Sequence, residues 1–172
     1  SELAREGHSF NRDIPVGAMI ETPSAAILIS RLAEEVDFLS VGSNDLVQYI
    51  LAADRIDGGS NSAYEPLHPA VIQTLATLTK IAGKKGKPIS ICGEVASDPV
   101  FTALLLGLGF RSFSVTPGRL LEIKHAIRSV HLAAANTLAA QALALGTTAE
   151  IRALVQAEWS QRRPVTSPDL PA

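Results

Sequence analysis

The sequence has little of what would place it outside the cell, in a membrane or on nucleic acid. Among 172 residues there is a single cysteine, Cys92, which excludes an internal disulfide framework and fits a reducing cytoplasm. Apolar runs are too short to span a bilayer, and no charged-then-apolar leader opens the chain. A formal net charge of −2 supplies no general attraction to nucleic acid or to an anionic membrane. No glycine-rich dinucleotide fingerprint follows any candidate strand, which weakens a Rossmann reading. The first residue is Ser1 rather than Met, and a fragment of a longer or processed protein is expected.

What is present describes an α/β protein. A hydrophobic fraction of 47% and a charged fraction of 19% suit one globular domain with a real core. The organising stretch runs from Asp37 to Arg55. An apolar run through Val41 reads as a strand buried on both faces; Gly42 and Ser43 break it, and a helix follows from Asn44-Asp45. Before it, Ile14 to Ile20 reads as a strand ending at Glu21, and Thr22-Pro23 starts a helix to about Glu35, with Ala26, Ile27, Ile29, Leu32 and Ala33 inward. After it, residues 56–67 read as an irregular loop, and His68-Pro69 opens a helix that ends at Gly83 and the following lysines. Ile89 to Ile91 is a third strand leading into Cys92-Gly93-Glu94, and Phe110 to Val115 is a fourth, each followed by a helix. Ala- and Leu-rich helices close the chain, the last behind a capping box at Thr147 and Glu150. Residues 1–161 are expected to form one partial barrel domain with terminal helices, and 162–172, with three prolines, a disordered tail.

Four strand–helix units make half of a (β/α)₈ barrel of the TIM type, with exposed sheet edges that call for upstream residues or a partner. In parallel α/β folds ligands bind at the carboxyl ends of the strands. Met19 and Glu21, Asn44 and Asp45, and Cys92 and Glu94 all fall there. Two carboxylates on neighbouring strands, Glu21 and Asp45, can share Mg²⁺, which completes its octahedron with water and substrate oxygens. Asn44 adds a neutral amide, the helix start beyond it favours an anion, and Arg55 lies further along the same segment. Together they describe a site for a small phosphorylated anion. Plainer roles stay open for each: Glu21 as a cap or a partner for lysine, Asn44-Asp45 as a helix cap, Arg55 as a dipole partner, Cys92 as a small buried hydrophobe.

The segment from Asp37 to Arg55, with Met19–Ala26 (MIETPSAA), Leu67–Val71 (LHPAV) and Ile91–Pro99 (ICGEVASDP), resembles the phosphoenolpyruvate-utilising enzymes. Gln48-Tyr49, Ala53-Asp54-Arg55 and the late Gln141 to Thr148 stretch make it most similar to enzyme I of the bacterial sugar phosphotransferase system. The resemblance implies phosphoryl transfer from phosphoenolpyruvate to a protein histidine and onward to the histidine-containing phosphocarrier protein. By the same resemblance Glu21 and Asp45 match the Mg²⁺ ligands, Asn44 and Arg55 match phosphate-binding positions, and Met19 lines the substrate pocket. Cys92 matches the thiol that exchanges a proton with the methylene carbon of enolpyruvate, beside a Gly93 that lets backbone approach the ligand. It also implies a cytoplasmic homodimer in the full-length protein, with no nucleic acid and no membrane insertion.

Departures accompany the likeness. The phosphate-accepting histidine and the arginines of the family's first half-barrel have no counterpart here, Ser43 stands where threonine is more usual, and Val115–Gly118 replaces a serine-rich strand end. Isolated turnover is expected to be negligible. Two alternatives remain: part of a pyruvate phosphate dikinase or phosphoenolpyruvate synthase, or a non-catalytic dimerisation fragment.

Overall fold

The computed structural model describes residues 2–53 and 63–162. After a short helix α1 (Glu2–Arg5), the chain runs β1 (Gly17–Ile20), α2 (Pro23–Ile27), α3 (Ile29–Glu35), β2 (Phe38–Gly42) and α4 (Ser43–Leu51). Next come α5 (Pro69–Lys84), β3 (Ile89–Cys92), α6 (Glu94–Ser97), a 3₁₀ turn (Pro99–Phe101), α7 (Thr102–Gly107) and β4 (Ser112–Phe113). A second 3₁₀ turn (Pro117–Arg119) leads to α8 (Leu120–Arg128), and α9 (Leu132–Ala144) and α10 (Thr148–Gln161) complete it. The four strands form one sheet in sequence order, β1-β2-β3-β4, and every pair is parallel.

Register decides which side chains meet. Ala18, Leu39 and Ile89 share a cross-strand row, as do Ile20, Val41, Ile91 and Phe113. These rows join the helical residues Ile29, Leu46, Leu75, Leu78 and Leu104 in one core. The opposite parity carries Gly17 and Phe38, then Met19, Ser40, Ser90 and Ser112, then Gly42 and Cys92. Met19 is 51% and Phe38 41% exposed on that face. The expectation that β2 is buried on both faces is therefore corrected. Among the described residues the packed apolar layer, with Leu39 and Val41 of β2, lies on one face only.

Helix starts follow local chemistry. The Thr22 hydroxyl accepts from the Ala25 N–H with Pro23 in the first turn, His68 accepts from Ala70, Asp98 accepts from Val100, and the Thr147–Glu150 capping box forms both its bonds. The helix expected from Thr22 to Glu35 is instead two helices meeting at Leu28. Across the turn the buried stripe keeps helical spacing through Ala26, Ile29 and Ala33, and Ile27, two residues from Ile29 and so on the far side, stands 81% exposed. The fourth strand is shorter than expected, two residues against six; the Phe110 N–H bonds the Leu105 carbonyl at the end of α7, and Arg111 Nη1 donates to the carbonyls of Leu106 and Phe110. Arg162 closes α10, bonded to Glu158 and lying over the Trp159 ring; the rest of the expected tail lies outside the described residues.

Close packing of α7 on α9 rests on Gly107, where a Cβ would collide with the Ala135 carbonyl and come within 2.9 Å of the Ala139 Cβ. Gly107→Ala is expected to destabilise the chain by about 1–3 kcal/mol through overpacking. Gly83 in α5 has open space around it, so Gly83→Ala is expected to stabilise by about 0.5–1 kcal/mol. Urea unfolding of the two variants beside the parent chain checks both signs.

Candidate active site

Parallel pairing in sequence order places the ends of β1, β2 and β3 at one edge of the sheet, and six of the seven residues singled out above lie there. Arg55 lies outside the described residues. Gly42 is the meeting point. A Cβ on it would come within 3.0 Å of both Cβ and Oε2 of Glu21 and within 3.2 Å of the Met19 sulfur. Glu21 and Met19 therefore reach across from β1 over a strand end kept bare by glycine. The cross-strand partner of Gly42 on its other side is Cys92, so carboxylate and thiol stand on the same face with the bare end of β2 between them.

The first turn of α4 supplies the remaining polar groups. Gly42, not Asn44 or Asp45, occupies its N-cap, with no side chain capping the turn, so the plain capping role for Asn44-Asp45 is not what the chain uses. Uncapped amides at a helix start favour an anion. Ser43 is buried, and its hydroxyl donates to the Cys92 carbonyl at 2.6 Å. Asn44 Oδ1 accepts from the Glu94 N–H at 2.9 Å, which leaves the amide NH₂ to donate elsewhere. The half-buried Cys92 thiol donates to the Val41 carbonyl at 3.3 Å. Gly93 has φ 98° and ψ −170°, a region that only glycine enters freely.

Neither Glu21 nor Asp45 forms an ion pair or side-chain hydrogen bond among the described residues, and Glu21 is not a helix cap, since Thr22 fills that place. Two uncompensated carboxylates with oxygen donors fit a hard cation such as Mg²⁺. No group of three or more His, Cys, Asp or Glu among the described residues could hold a metal by itself, so an ion here would draw its other donors from water or a ligand.

A cleft of about 980 Å³ opens beside this edge, lined by Asn44, Cys92, Glu94 and Ser114 on one side and by Arg119, Glu122 and Trp159 on another. Met19, Glu21 and Asp45 are outside it, so thiol and amide face the cleft while the acids flank it. On the cleft wall the Glu122 carboxylate hydrogen-bonds Arg119 at 2.6 Å, and this holds the guanidinium more firmly protonated than usual. The sequence reads Ser43 as the break after a strand; its burial and its bond to Cys92 are visible only once β2 and β3 are paired. Trp159 likewise joins the cleft through packing, while Glu94 lines it as its place after β3 suggests. A small hydroxyl directly after a glycine at a strand end is the one signal that marks Ser43 in the sequence.

Residues 1–132 match the family model described as PEP-utilising enzyme, PEP-binding domain, and the chain belongs to that family. Among curated relatives it is similar to the phosphoenolpyruvate-protein phosphotransferase of Cupriavidus necator, 45% identical over 130 residues, covering 76% of this chain and 22% of that protein. The Haemophilus influenzae protein of the same name is 43% identical over 156 residues, covering 91% of this chain and 27% of the relative. A Salmonella typhimurium protein named phosphoenolpyruvate-dependent phosphotransferase system is 39% identical over 147 residues, covering 86% and 20%. The chain thus spans between a fifth and a third of the length of the relatives it matches.

Gly93→Ala is expected to cost at least about 1–3 kcal/mol from backbone strain, since a Cβ there would also meet Ser43 Oγ and come within 2.7 Å of Asn44 Oδ1. Thermal unfolding followed by circular dichroism measures it.

Proposed function

We propose that this chain is the phosphoenolpyruvate- and Mg²⁺-binding part of a phosphoenolpyruvate–protein phosphotransferase of the enzyme I type. It would form the C-terminal half of a (β/α)₈ barrel whose interior is the Met19–Ser40–Ser90–Ser112 face of the sheet. The observation that carries the proposal is that β1 and β3, on either side of Gly42 in β2, present the Glu21 carboxylate and the Cys92 thiol on one face, beside an uncapped helix start. The relatives' printed names support phosphoryl transfer from phosphoenolpyruvate to a protein over the dikinase or synthase alternative. The full-length protein is read as a cytoplasmic homodimer that passes the phosphoryl group to the histidine-containing phosphocarrier protein.

In this reading Glu21 and Asp45 hold Mg²⁺, which supplies charge neutralisation for the phosphate and carboxylate of the substrate. The Asn44 amide and the first-turn N–H groups of α4 receive phosphate oxygens, and Arg55 takes on the charge of the transferring group. Met19 packs against the enol carbon skeleton. As the phosphoryl group leaves for a histidine nitrogen, the P–O bond breaks, a P–N bond forms and the enolate electrons move to the methylene carbon. That carbon takes the proton of the Cys92 thiol, giving pyruvate and a thiolate that is reprotonated on the next cycle.

The test supplies the missing upstream portion from a relative and follows phosphate from phosphoenolpyruvate to histidine. Complementation is expected to restore transfer that the isolated chain lacks, because positioning groups are then complete. Cys92→Ala is expected to lower turnover by about 10²–10⁴-fold, the range for loss of a general acid, while Mg²⁺-dependent substrate binding by calorimetry persists. Glu21→Gln with Asp45→Asn is expected to abolish that Mg²⁺ dependence. Unchanged turnover in Cys92→Ala, or Mg²⁺-independent binding in the parent chain, would overturn the assignment.

A further inference from the structure

Two consecutive residues of α4 grip the turn that carries the thiol. Ser43, 1% exposed, donates its hydroxyl proton to the Cys92 carbonyl at 2.6 Å, and the Asn44 carbonyl oxygen accepts from the Glu94 N–H at 2.9 Å. These bonds bracket Gly93, whose backbone sits at φ 98° and ψ −170° with Ser43 Oγ and the Asn44 amide where a Cβ would be. On the other side, the thiol points to the carbonyl of Val41, two residues before Ser43. Cys92 is thus held through its carbonyl by one end of the β2–α4 corner and through its sulfur by the other. Rotation of the Cys92–Gly93 peptide would break the Ser43 bond and leave a buried hydroxyl unpaired, a costly exchange.

From this geometry we infer that Ser43, acting with Asn44, is a positioning residue that fixes the direction of the Cys92 thiol. Ser43 itself transfers nothing: its one proton is committed to a backbone carbonyl, which leaves it unsuited to nucleophilic or proton-shuttling work. The corner also joins two parts of the site. Movement of the first turn of α4, where Asn44 and Asp45 sit, is transmitted to the thiol through two hydrogen bonds. That the aimed thiol is a proton donor rests on the function proposed above; the clamp does not.

Because Cys92 is the only cysteine, its alkylation by iodoacetamide at fixed pH reports the thiol alone, read by mass. Ser43→Ala is expected to raise the alkylation rate by about five-fold, the effect on local opening of losing one typical hydrogen bond. Ser43→Thr keeps the hydroxyl and is expected to stay within about two-fold of the parent rate. A parent-like rate in Ser43→Ala, or a Ser43→Thr rate equal to that of Ser43→Ala, overturns the inference. Hydrogen exchange in the unsubstituted chain needs no variant to fold: the amide of exposed Glu94 is expected to exchange at least about ten-fold more slowly than an unstructured amide. An unprotected Glu94 amide also overturns it. Neither readout uses phosphoenolpyruvate, so a failed substrate titration beside a protected Glu94 amide would remove the proposed function and leave the clamp standing.

Discussion

Strict parallel pairing is the constraint on which the rest of the molecule depends. Each strand enters the sheet from the same end and leaves at the same edge, in sequence order. Side-chain period two then sorts every strand residue onto one of two faces without exception. Ile20, Val41 and Ile91 go to the helices, while Met19, Ser40 and Cys92 go to the other side. A one-residue slip between β2 and β3 would send Cys92 into the helical core and bring Ile91 to the site. The buried row of β-branched residues is therefore what holds the thiol on the same face as the Glu21 carboxylate.

Two glycines convert that register into a usable site, and they do so differently. Gly42 is small so that Glu21 and Met19 can cross over it. Gly93 is glycine because its backbone occupies a region closed to other residues and because the corner of α4 presses against it. The likeness to the family implies close ligand approach at Gly93; contact with Ser43 and Asn44 already demands a glycine there, with or without a ligand.

Much of the architecture was legible in the sequence because it rests on local chemistry. The capping groups of Thr22, His68 and Thr147, and the strands leading into Glu21, Ser43 and Cys92, are read from a few adjacent residues. Misreadings came where phase matters over a longer range. Ile27 is expected inward but is exposed, since the buried stripe Ala26, Ile29 and Ala33 leaves it on the far side of the helix. The fourth strand starts later than its apolar run because the Phe110 N–H is bonded to the Leu105 carbonyl at the end of α7.

The succession of strand–helix units, the polar character of the first three strand ends and, through the motifs, the family can be read along the chain. Those follow from propensity, capping and short spacings, which act between neighbours in the chain. Only the tertiary structure decided that Ser43 belongs to Cys92, that Asn44 belongs to Glu94, and that the acids flank a cleft which the thiol faces. Those relations join residues about fifty positions apart. They exist because parallel pairing of β2 with β3 brings two corners together, and no property of either corner alone specifies its partner.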